Sequence, residues 1–298
     1  MNARQFRYIL VLAAEGSFSK AAKTLNISQP SLSQYVKKIE KQVGLPLFDR
    51  TNNEVRLTDA GRVYIEAGRK VLDIEHQMEG QISDLMEHKT GTIIIGTAPY
   101  RASSMMPAVA ARFRELHPGM HLVIREGTTN ELEEGMEHGE FDLCLTILPV
   151  DPLIFEYEKV CEEELLLAVP AGWAPLAAEV RKGRKYPVTS VRALNNNRMV
   201  LQNEGQFMQD QLERILIEYK LSIQPAAVVK SLEAKIEMVK AGLGMALVPS
   251  GIEHFCAHGE VDFYEFAEDL PKRELAVMWR KGQPLSETVK ELKAILLE

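Results

Sequence analysis

The sequence predicts a mixed α/β protein in three parts: a small winged helix-turn-helix head, a long connecting helix and a two-lobed α/β body. Residues 17–57 read as a helix, a tight turn, a second helix and a short two-stranded ribbon. Apolar residues then recur at heptad spacing as far as residue 88, which is typical of a long helix. From residue 91 onward, short apolar strands alternate with amphipathic helices, and this alternation predicts parallel sheets.

The start and the inner face of the second head helix are both indicated by the sequence. Ser28 suits the N-cap, because its hydroxyl can accept a backbone N–H that the first turn leaves unpaired. Pro30 fits that turn, since its missing N–H costs nothing there. Leu32, Val36 and Ile39 recur at helical spacing and are expected to face inward. The outer face is then polar and partly basic, which suits a helix lying in the major groove of DNA.

A wing is expected after this helix. Asn52 and Asn53 form a turn signal between two short extended segments. Arg50 and Arg56 flank the turn, where they can reach phosphates or a minor groove. The residues expected to contact DNA therefore lie on the helix-turn-helix, its outer face and the wing. They are Ser28, Gln29, Pro30, Ser31, Ser33, Gln34, Lys37, Lys38, Arg50, Asn52, Asn53 and Arg56.

The charge of the chain is divided unevenly between its parts. The 298 residues carry −7, but residues 1–60 hold nine Lys or Arg against five Asp or Glu, a net +4 that leaves −11 for the remainder. A basic head on an acidic body confines the attraction for phosphate to the head. No run approaches the ~20 apolar residues that a membrane span needs, and the start of the chain lacks a signal-peptide pattern. A cytoplasmic location is therefore expected.

Neither the cysteines nor the glycines predict a metal, a disulfide or a cofactor. Cys144, Cys161 and Cys256 are far apart and form no CxxC pair, and the apolar run around Cys144 predicts a buried structural thiol. A peroxide sensor would need two exposed cysteines able to meet, and the sequence suggests no such pair. Gly242 and Gly244 follow a helix and precede a strand, the reverse of a dinucleotide-binding turn, so a helix C-cap explains them.

The long helix is expected to begin at a cap formed by Thr58 and Asp59 and to run to about His88. Its apolar seam steps alternately by three and four residues and is interrupted by Gln81. A helix of about 30 residues spans ~45 Å, more than most single domains cover. This length favours pairing with a second subunit over the alternative of packing on its own body. The seam starts at Tyr64, and its expected dimerisation residues are Ala67, Val71, Ile74, Met78 and Leu85.

The body reads as two sets of strands and helices in tandem, followed by a returning strand and helix. Strands are expected at 92–95, 122–126, 141–148, 165–169, 198–202, 226–229, 245–248 and 273–279. Helices are expected at 104–116, 131–138, 206–219, 231–241 and 286–297. The boundaries between the two lobes are expected near residues 149–163 and 267–271.

One group of residues between positions 3 and 61 has a distinctive order and spacing. Its members are Phe6, Ser17, Phe18, Ala21, Ala22, Leu25, Ser28, Gln29, Pro30, Ser31, Leu32, Ser33, Ile39, Glu40, Gly44, Leu47, Phe48, Asp49, Arg50, Leu57, Thr58 and Gly61. In these residues and in total length, the chain resembles the LysR-type transcriptional regulators. The resemblance implies a periplasmic-binding-protein-like body, an operator DNA, a small-molecule effector and a dimer that associates further to a tetramer. It also allows a contact with RNA polymerase.

The resemblance divides the chain into a DNA-binding domain at 1–58, a linker and dimerisation helix at 59–90 and an effector-binding domain at 91–298. Within the last, lobe I is expected at 91–161 and 268–298, and lobe II at 162–267.

The effector site is expected in the cleft between the lobes, at the carboxyl ends of the strands. Helix N-termini expected near Ser104 and Asn130 favour a negative charge there, and Arg101 can pair with a carboxylate. The alternative for Arg101 is an exposed loop arginine. The expected effector-binding residues are Thr97, Ala98, Pro99, Tyr100, Arg101, Ser103, Thr128, Thr129, Ile147 and Gln202.

The expected function is that of a LysR-type DNA-binding regulator whose operator binding responds to a small anionic metabolite. Two other classes compete with it. An enzyme with a DNA-binding head is disfavoured, because the sequence contains no nucleophile–base pair and no metal motif. An architectural DNA-binding protein would not need a two-lobed body of this size.

Overall fold

The structure is a computed structural model that describes residues 3–49, 55–85, 90–174 and 176–298. The head contains α1 (Ala3–Glu15), α2 (Phe18–Thr24), α3 (Gln29–Val43) and the antiparallel strands β1 (Phe48–Asp49) and β2 (Arg56–Leu57). The long helix α4 spans Asp59–Asp84. None of the helices in these described ranges is long and apolar enough to cross a membrane.

The head forms as its capping and apolar patterns predict. The Ser28 hydroxyl accepts the backbone N–H of Ser31 at 3.3 Å, and α3 ends at Gly44 in the left-handed region. Leu32, Val36 and Ile39 are buried in a core that α1, α2 and the strands share. The opposite face of α3 stays exposed.

The body is built from twelve strands and six helices among the described residues. Its strands are β3 (Gly91–Thr97), β4 (Met120–Glu126), β5 (Leu143–Ile147), β6 (Phe155–Glu163), β7 (Leu165–Pro170), β8 (Ala178–Glu179), β9 (Val188–Thr189), β10 (Arg198–Gln202), β11 (Gln224–Val229), β12 (Ala246–Pro249), β13 (Val261–Phe266) and β14 (Arg273–Arg280). Its helices are α5 (Pro99–Ser104), α6 (Met106–Leu116), α7 (Thr129–Glu137), α8 (Phe207–Glu218), α9 (Leu232–Lys240) and α10 (Glu287–Leu297).

The strands form two five-stranded sheets and one two-stranded ribbon. The first sheet has the order β4-β3-β5-β14-β6, and the second has the order β12-β7-β13-β9-β8. The ribbon joins β10 and β11 in parallel and is linked to the second lobe by a bridge between Met199 and Met245. Each lobe has its own apolar core.

The expected parallel pairing is confirmed for the first three strands of the body, but both five-stranded sheets are mixed. In the first sheet β3, β4 and β5 are parallel, but β14 runs antiparallel to β5 and β6. In the second, β7 runs antiparallel to both β12 and β13. The cause is that the chain crosses between lobes twice, so each sheet includes a strand that arrives from the other lobe rather than through a βαβ crossover.

Four strands of the body, β6, β8, β9 and β13, were not expected. Most of the segment predicted as a lobe boundary, 149–163, belongs to the edge strand β6, and the chain passes between the sheets at Glu164. The strand β6 alternates charged and apolar residues because one of its faces meets solvent, and its charges hide the strand pattern.

Two helix boundaries differ from those expected. The helix expected to begin near Ser104 instead begins at Pro99, pauses at Met105 and continues as α6. Pro99 and Pro107 each stand in a first turn, where a proline costs least, so the segment folds as two helices. Helix α4 ends at Asp84 rather than near His88, with Leu85 as its C-cap.

Candidate functional site

The head presents one polar face along its helix-turn-helix. Gln29, Gln34, Lys37 and Lys38 are exposed on α3, and the Ser28 and Ser31 hydroxyls lie 2.7 Å apart at its start. Pro30 is exposed, Ser33 is half-buried and Arg56 is exposed on β2. The predicted residues Arg50, Asn52 and Asn53 lie outside the described residues.

The head is firmly packed on the first half of α4. The rings of Phe6 and Tyr64 lie 5.0 Å apart, and a Cβ at Gly68 would come within 2.5 Å of Phe6. Farther along, Arg7 donates to Glu75 at 3.1 Å. Because apolar packing and an ion pair both hold α1 against α4, the head and the helix are expected to move together.

One side of α4 carries an exposed apolar stripe. Ile74 is 65% exposed and Leu85 is 88% exposed, although both are large apolar side chains. The stripe includes all five predicted dimerisation residues, Ala67, Val71, Ile74, Met78 and Leu85, together with the unpredicted Val63 and Ile82. Tyr64, expected to start the seam, is instead buried in the core of the head.

Another side of α4 contacts the first lobe through ionisable groups. Arg280 donates to Asp73, which is buried, and Arg69 lies 2.7 Å from the His138 ring. His76 lies 3.0 Å from the Asp142 carboxylate, and this hydrogen bond raises the pKa of His76. The helix therefore packs on its own body and also leaves an apolar stripe uncovered, so the two interpretations of its sequence are compatible.

A cavity of about 800 Å³ lies between the two lobes. From the first lobe it is lined by Ala98, Pro99, Tyr100, Arg101, Thr128, Thr129, Leu132, Phe141, Thr146, Ile147, Arg273 and Leu275. From the second it is lined by Gln202, Phe207, Met208, Val229, Leu232 and Glu233. Most of the wall surface is apolar, but the lining also includes polar and charged residues of both lobes, namely Arg125, Glu126, Glu131, Glu140, Gln206, Lys230 and Ser231.

All the predicted effector-binding residues line this cavity except Thr97 and Ser103. Thr97 is buried at the end of β3. The Ser103 hydroxyl lies 2.9 Å from the Pro99 carbonyl and 3.2 Å from Glu233 of the other lobe. Ser103 therefore connects the two lobes and does not face the cavity.

Arg101 is neither an exposed loop arginine nor an unpaired one. It donates to Glu163, and Arg273 approaches the same carboxylate at 3.4 Å. All three side chains are buried, and burial lowers the pKa of Arg273 to about 10, which keeps it protonated at neutral pH. Within this cluster two cations share one anion, so the three side chains together carry one excess positive charge; the rest of the cavity lining adds two cations and four carboxylates.

Sequence reasoning missed Glu163 and Arg273, because they meet Arg101 only after the chain has crossed between the lobes.

The Arg101 guanidinium also lies 4.5 Å above the Tyr100 ring, and burial raises the pKa of the Tyr100 phenol to about 12. Tyr100 is therefore a neutral hydroxyl at this wall.

Six polar side-chain atoms of cavity-lining residues are buried without a hydrogen-bond partner among the described residues. They are the hydroxyls of Tyr100 and Thr146, the side-chain oxygen of Gln202, one carboxylate oxygen of Glu233 and the Nε atoms of Arg101 and Arg273. Buried polar groups are paired in the great majority of cases. These atoms belong to residues of both lobes, and the described residues supply no partner for any of them.

The helix N-terminus at the cavity is already occupied. Thr128 and Glu131 form a capping box at the start of α7, in which the Thr128 N–H donates to Glu131 at 2.7 Å. These hydrogen bonds lower the pKa of Glu131. Because a carboxylate of the chain already sits at this helix end, it already offsets the helix dipole that was expected to favour an anion there.

The three cysteines differ in exposure: Cys144 is buried, Cys256 is half-buried and Cys161 is exposed. Cys144 is fully buried, as predicted, and burial raises its pKa. Burial also raises the pKa of Cys161 and of Cys256. The described residues contain no group of His, Cys, Asp and Glu side chains that could hold a metal ion.

Two family models together match almost the whole chain. Residues 3–62 match the model described as a bacterial regulatory helix-turn-helix protein of the lysR family. Residues 87–298 match the model described as the LysR substrate binding domain.

Individual relatives agree with these matches. A probable RuBisCO transcriptional regulator from Synechocystis sp. is 30% identical over 250 residues, which cover 82% of this chain and 70% of the relative. A hydrogen peroxide-inducible genes activator from Dickeya chrysanthemi is 25% identical over 289 residues, covering 96% of this chain and 91% of the relative. A structure of full-length CbnR with its target DNA has a TM-score of 0.67 at 20% identity, covering 99% of this chain and all of that one.

Proposed function

This chain belongs to the LysR family of DNA-binding transcriptional regulators, and we propose that it dimerises through α4, reads an operator with α3 and responds to a small organic anion bound between its lobes. The observation that carries the ligand proposal is the set of unpaired polar atoms beside an excess buried cation in the interlobe cavity. We assign the head to 1–58, the linker to 59–90, lobe I to 91–161 and 268–298, and lobe II to 162–267. We place the protein in the cytoplasm, with its operator.

The charge of the ligand follows from the cluster at the cavity wall. Arg101 and Arg273 share the single carboxylate of Glu163, and a buried charge without a counter-charge is costly. An anion in the cavity would supply the second counter-charge. The Tyr100 and Thr146 hydroxyls can donate to the same anion, while the apolar wall accommodates a hydrocarbon frame.

Carboxylic acids paired with their methyl esters test this proposal on the full-length protein. A methyl ester adds one methyl group to its acid and removes the charge, so acids that bind should raise the melting temperature and their esters should not. A ligand present at a hundredfold excess over its Kd stabilises a protein by about 2.7 kcal/mol. Equal stabilisation by acids and esters would contradict the anion proposal.

Gln34 is expected to read a base. It is exposed on α3, opposite the buried Leu32 and Val36, and its amide can form a bidentate contact with adenine. Gln34→Ala should weaken binding to the preferred operator by about 1–3 kcal/mol while leaving binding to random DNA unchanged. The measurement is a competition assay on genomic fragments retained by the protein, with Gln224→Ala, an exposed body glutamine, as the control. Unchanged discrimination would remove Gln34 from the base-reading set.

Three elements of the first lobe connect the cavity with α4. Helix α7 begins at the cavity beside Thr128, and just beyond its other end a Cβ at Gly139 would come within 2.3 Å of Asp73. Strand β14 begins at the cavity with Arg273 and ends with Arg280, which also contacts Asp73. Strand β5 brings Thr146 to the cavity, and Asp142 just before it holds His76.

We propose that ligand binding reaches the heads along these elements, because Asp73 lies on the stretch of α4 that also packs against the head. Ligand contacts that shift α7 or β14 would act on Asp73, and the packing of Phe6 on Gly68 would carry the shift to α1. Three elements of the first lobe contact α4 between Asp73 and His76, so they form a continuous physical route from the interlobe cavity to the head.

Asp73→Asn should uncouple the two sites. The substitution keeps the size of the side chain but removes the charge that holds Arg280. The variant should bind the ligand alone and the operator alone with the affinities of the parent. The ratio of its operator affinities with and without ligand should move toward one, which corresponds to a loss of about 1–2 kcal/mol of coupling free energy. Fluorescence anisotropy with the best stabilising acid measures this ratio, with the exposed Asp262→Asn as control. Undiminished coupling in Asp73→Asn would contradict the route.

Activation by peroxide, which the name of one relative states for that protein, is not part of the proposal. A thiol that reacts with peroxide needs thiolate character, whereas burial raises the pKa of Cys144, Cys161 and Cys256 in this chain. An enzymatic role is also set aside, because the relatives are transcriptional regulators.

A further inference from the structure

The second-lobe wall of the cavity carries hydrogen-bond acceptors that the proposed anion cannot satisfy. Gln202 is the last residue of β10, lines the cavity and is buried. Its side-chain oxygen has no donor among the described residues. Glu233, near the start of α9, also lines the cavity, and one of its carboxylate oxygens is buried without a partner in the same described part of the chain.

The orientation of the Gln202 amide is determined by its surroundings. Its Nε2 donates to the Lys230 carbonyl at 3.3 Å, and its backbone N–H donates to the Gln209 side chain at 3.1 Å. Turning the amide over would place an oxygen against the Lys230 carbonyl and lose that bond. Oε1 is therefore held in place as an acceptor, and it cannot become a donor.

Glu233 is held in a similar way. Its Oε1 accepts from the Ser103 hydroxyl of the other lobe at 3.2 Å, which leaves Oε2 as the unpaired oxygen. Two unpaired acceptors thus belong to the second lobe, whereas the donors of Arg101 and Arg273 belong to the first-lobe side of the cavity.

The unpaired groups of the cavity therefore divide into two kinds. The hydroxyls of Tyr100 and Thr146 can donate or accept, and the arginines only donate, so a carboxylate satisfies all of them. A carboxylate can only accept, so it leaves Gln202 and Glu233 unpaired. Closing the cavity over a simple carboxylate would leave these two acceptors buried without partners, which is costly.

We infer that the ligand is a hydroxy- or amino-carboxylic acid whose anionic group faces the arginine pair. Its second polar group donates to the second lobe: an ammonium group can donate to both Gln202 and Glu233, and a hydroxyl, which has one proton, to one of them. This inference rests on the proposed function, since it concerns the ligand of the same cavity. The donor group is what connects the two lobes: the carboxylate engages one side of the cleft and the hydroxyl or amino group engages the other. An acid without that group has no polar partner on the second lobe.

Two series of matched acids test the inference on the full-length protein. One places the donor beside the carboxylate: phenylalanine, 3-phenyllactate, 3-phenylpropanoate and 2-methoxy-3-phenylpropanoate. The other places it across a ring: 4-aminophenylacetate, 4-hydroxyphenylacetate, phenylacetate and 4-methoxyphenylacetate. Calorimetry gives the Kd of each acid, and the methoxy compounds keep the oxygen but have lost the proton that it donates.

In at least one series, the hydroxy or amino acid should bind at least about tenfold more tightly than its unsubstituted and methoxy counterparts. Gln202→Leu should reduce this advantage to less than about threefold, and it should strengthen binding of the unsubstituted acid, because the acceptor that this acid leaves unpaired is gone. Gln224→Leu, on the exposed ribbon, should retain the full advantage. Glu233→Gln keeps an acceptor oxygen but removes the charge, so it should weaken an amino acid more than a hydroxy acid.

Equal binding of the donor-bearing and methoxy acids in both series would overturn the inference, and so would an advantage that survives Gln202→Leu. In either case the anion site would still stand. If no acid of either series binds, the proposed anionic ligand fails, and the inference fails with it. Should Gln202→Leu not fold, the comparison of donor-bearing with methoxy acids on the unaltered protein decides by itself.

Discussion

Replacing Val71 and Ile74 of α4 together by glutamate should halve the mass of the protein in solution. Both side chains are exposed in the single chain, at 41% and 65%, and belong to the apolar stripe that we propose as the dimer contact. In the dimer, glutamates at these positions would bury like charges against their symmetry mates, and a buried unpaired charge costs about 3–5 kcal/mol. Even the lower figure weakens association more than a hundredfold.

Light scattering measures this mass directly. If the bodies also associate to form a tetramer, loss of the helix contact should likewise halve its mass. Leu153→Glu combined with Val180→Glu is the matched control, because it adds two glutamates at strongly exposed apolar positions away from α4. The control should keep the parental mass. Equal masses for the α4 variant and its parent would show that the stripe is not the subunit contact.

The head could be predicted almost completely from the sequence, because its structure depends on local signals. The cap at Ser28, the proline in the first turn and the spacing of Leu32, Val36 and Ile39 each act within a few residues, and the structure shows the helix that they predict. Tyr64 is the exception. Its position in the heptad series fits a subunit contact, yet it packs on Phe6, which lies far away in sequence.

The cavity was only partly predictable, because its chemistry depends on contacts between distant parts of the chain. The segment from Ala98 to Arg101 follows a strand and forms the start of a helix, a position where ligands commonly bind, and these residues do line the cavity. No local pattern indicates that Arg101 meets Glu163 and Arg273, since the three lie on elements brought together by the crossing between lobes. Likewise, an unpaired oxygen on Gln202 can be recognised only when its neighbours are known.

Arg101→Met should abolish the response to an acidic ligand while leaving operator binding unchanged. The substitution leaves Glu163 and Arg273 as a neutral pair, so the cluster loses its excess positive charge, and the methionine fills the vacated space. Loss of a charged hydrogen bond of about 1.5–3 kcal/mol corresponds to a roughly 10- to 150-fold weaker affinity. Calorimetry with the most strongly stabilising acid measures the change, and Arg112→Met, at an exposed arginine paired with Glu115, is the control.

The companion variant Glu163→Gln separates electrostatics from structural damage. Removing the one carboxylate shared by Arg101 and Arg273 leaves two buried cations, so the same acid should bind more tightly than it binds the parent. If the variants merely disrupt the cluster, both should bind the ligand more weakly than the parent. If the excess positive charge attracts the ligand, the affinity should fall in Arg101→Met and rise in Glu163→Gln. An Arg101→Met protein that responds to the acid at the parental dose would remove the arginine from the ligand contacts. Weaker binding in both variants would mean that the cluster holds the lobes together without selecting an anion.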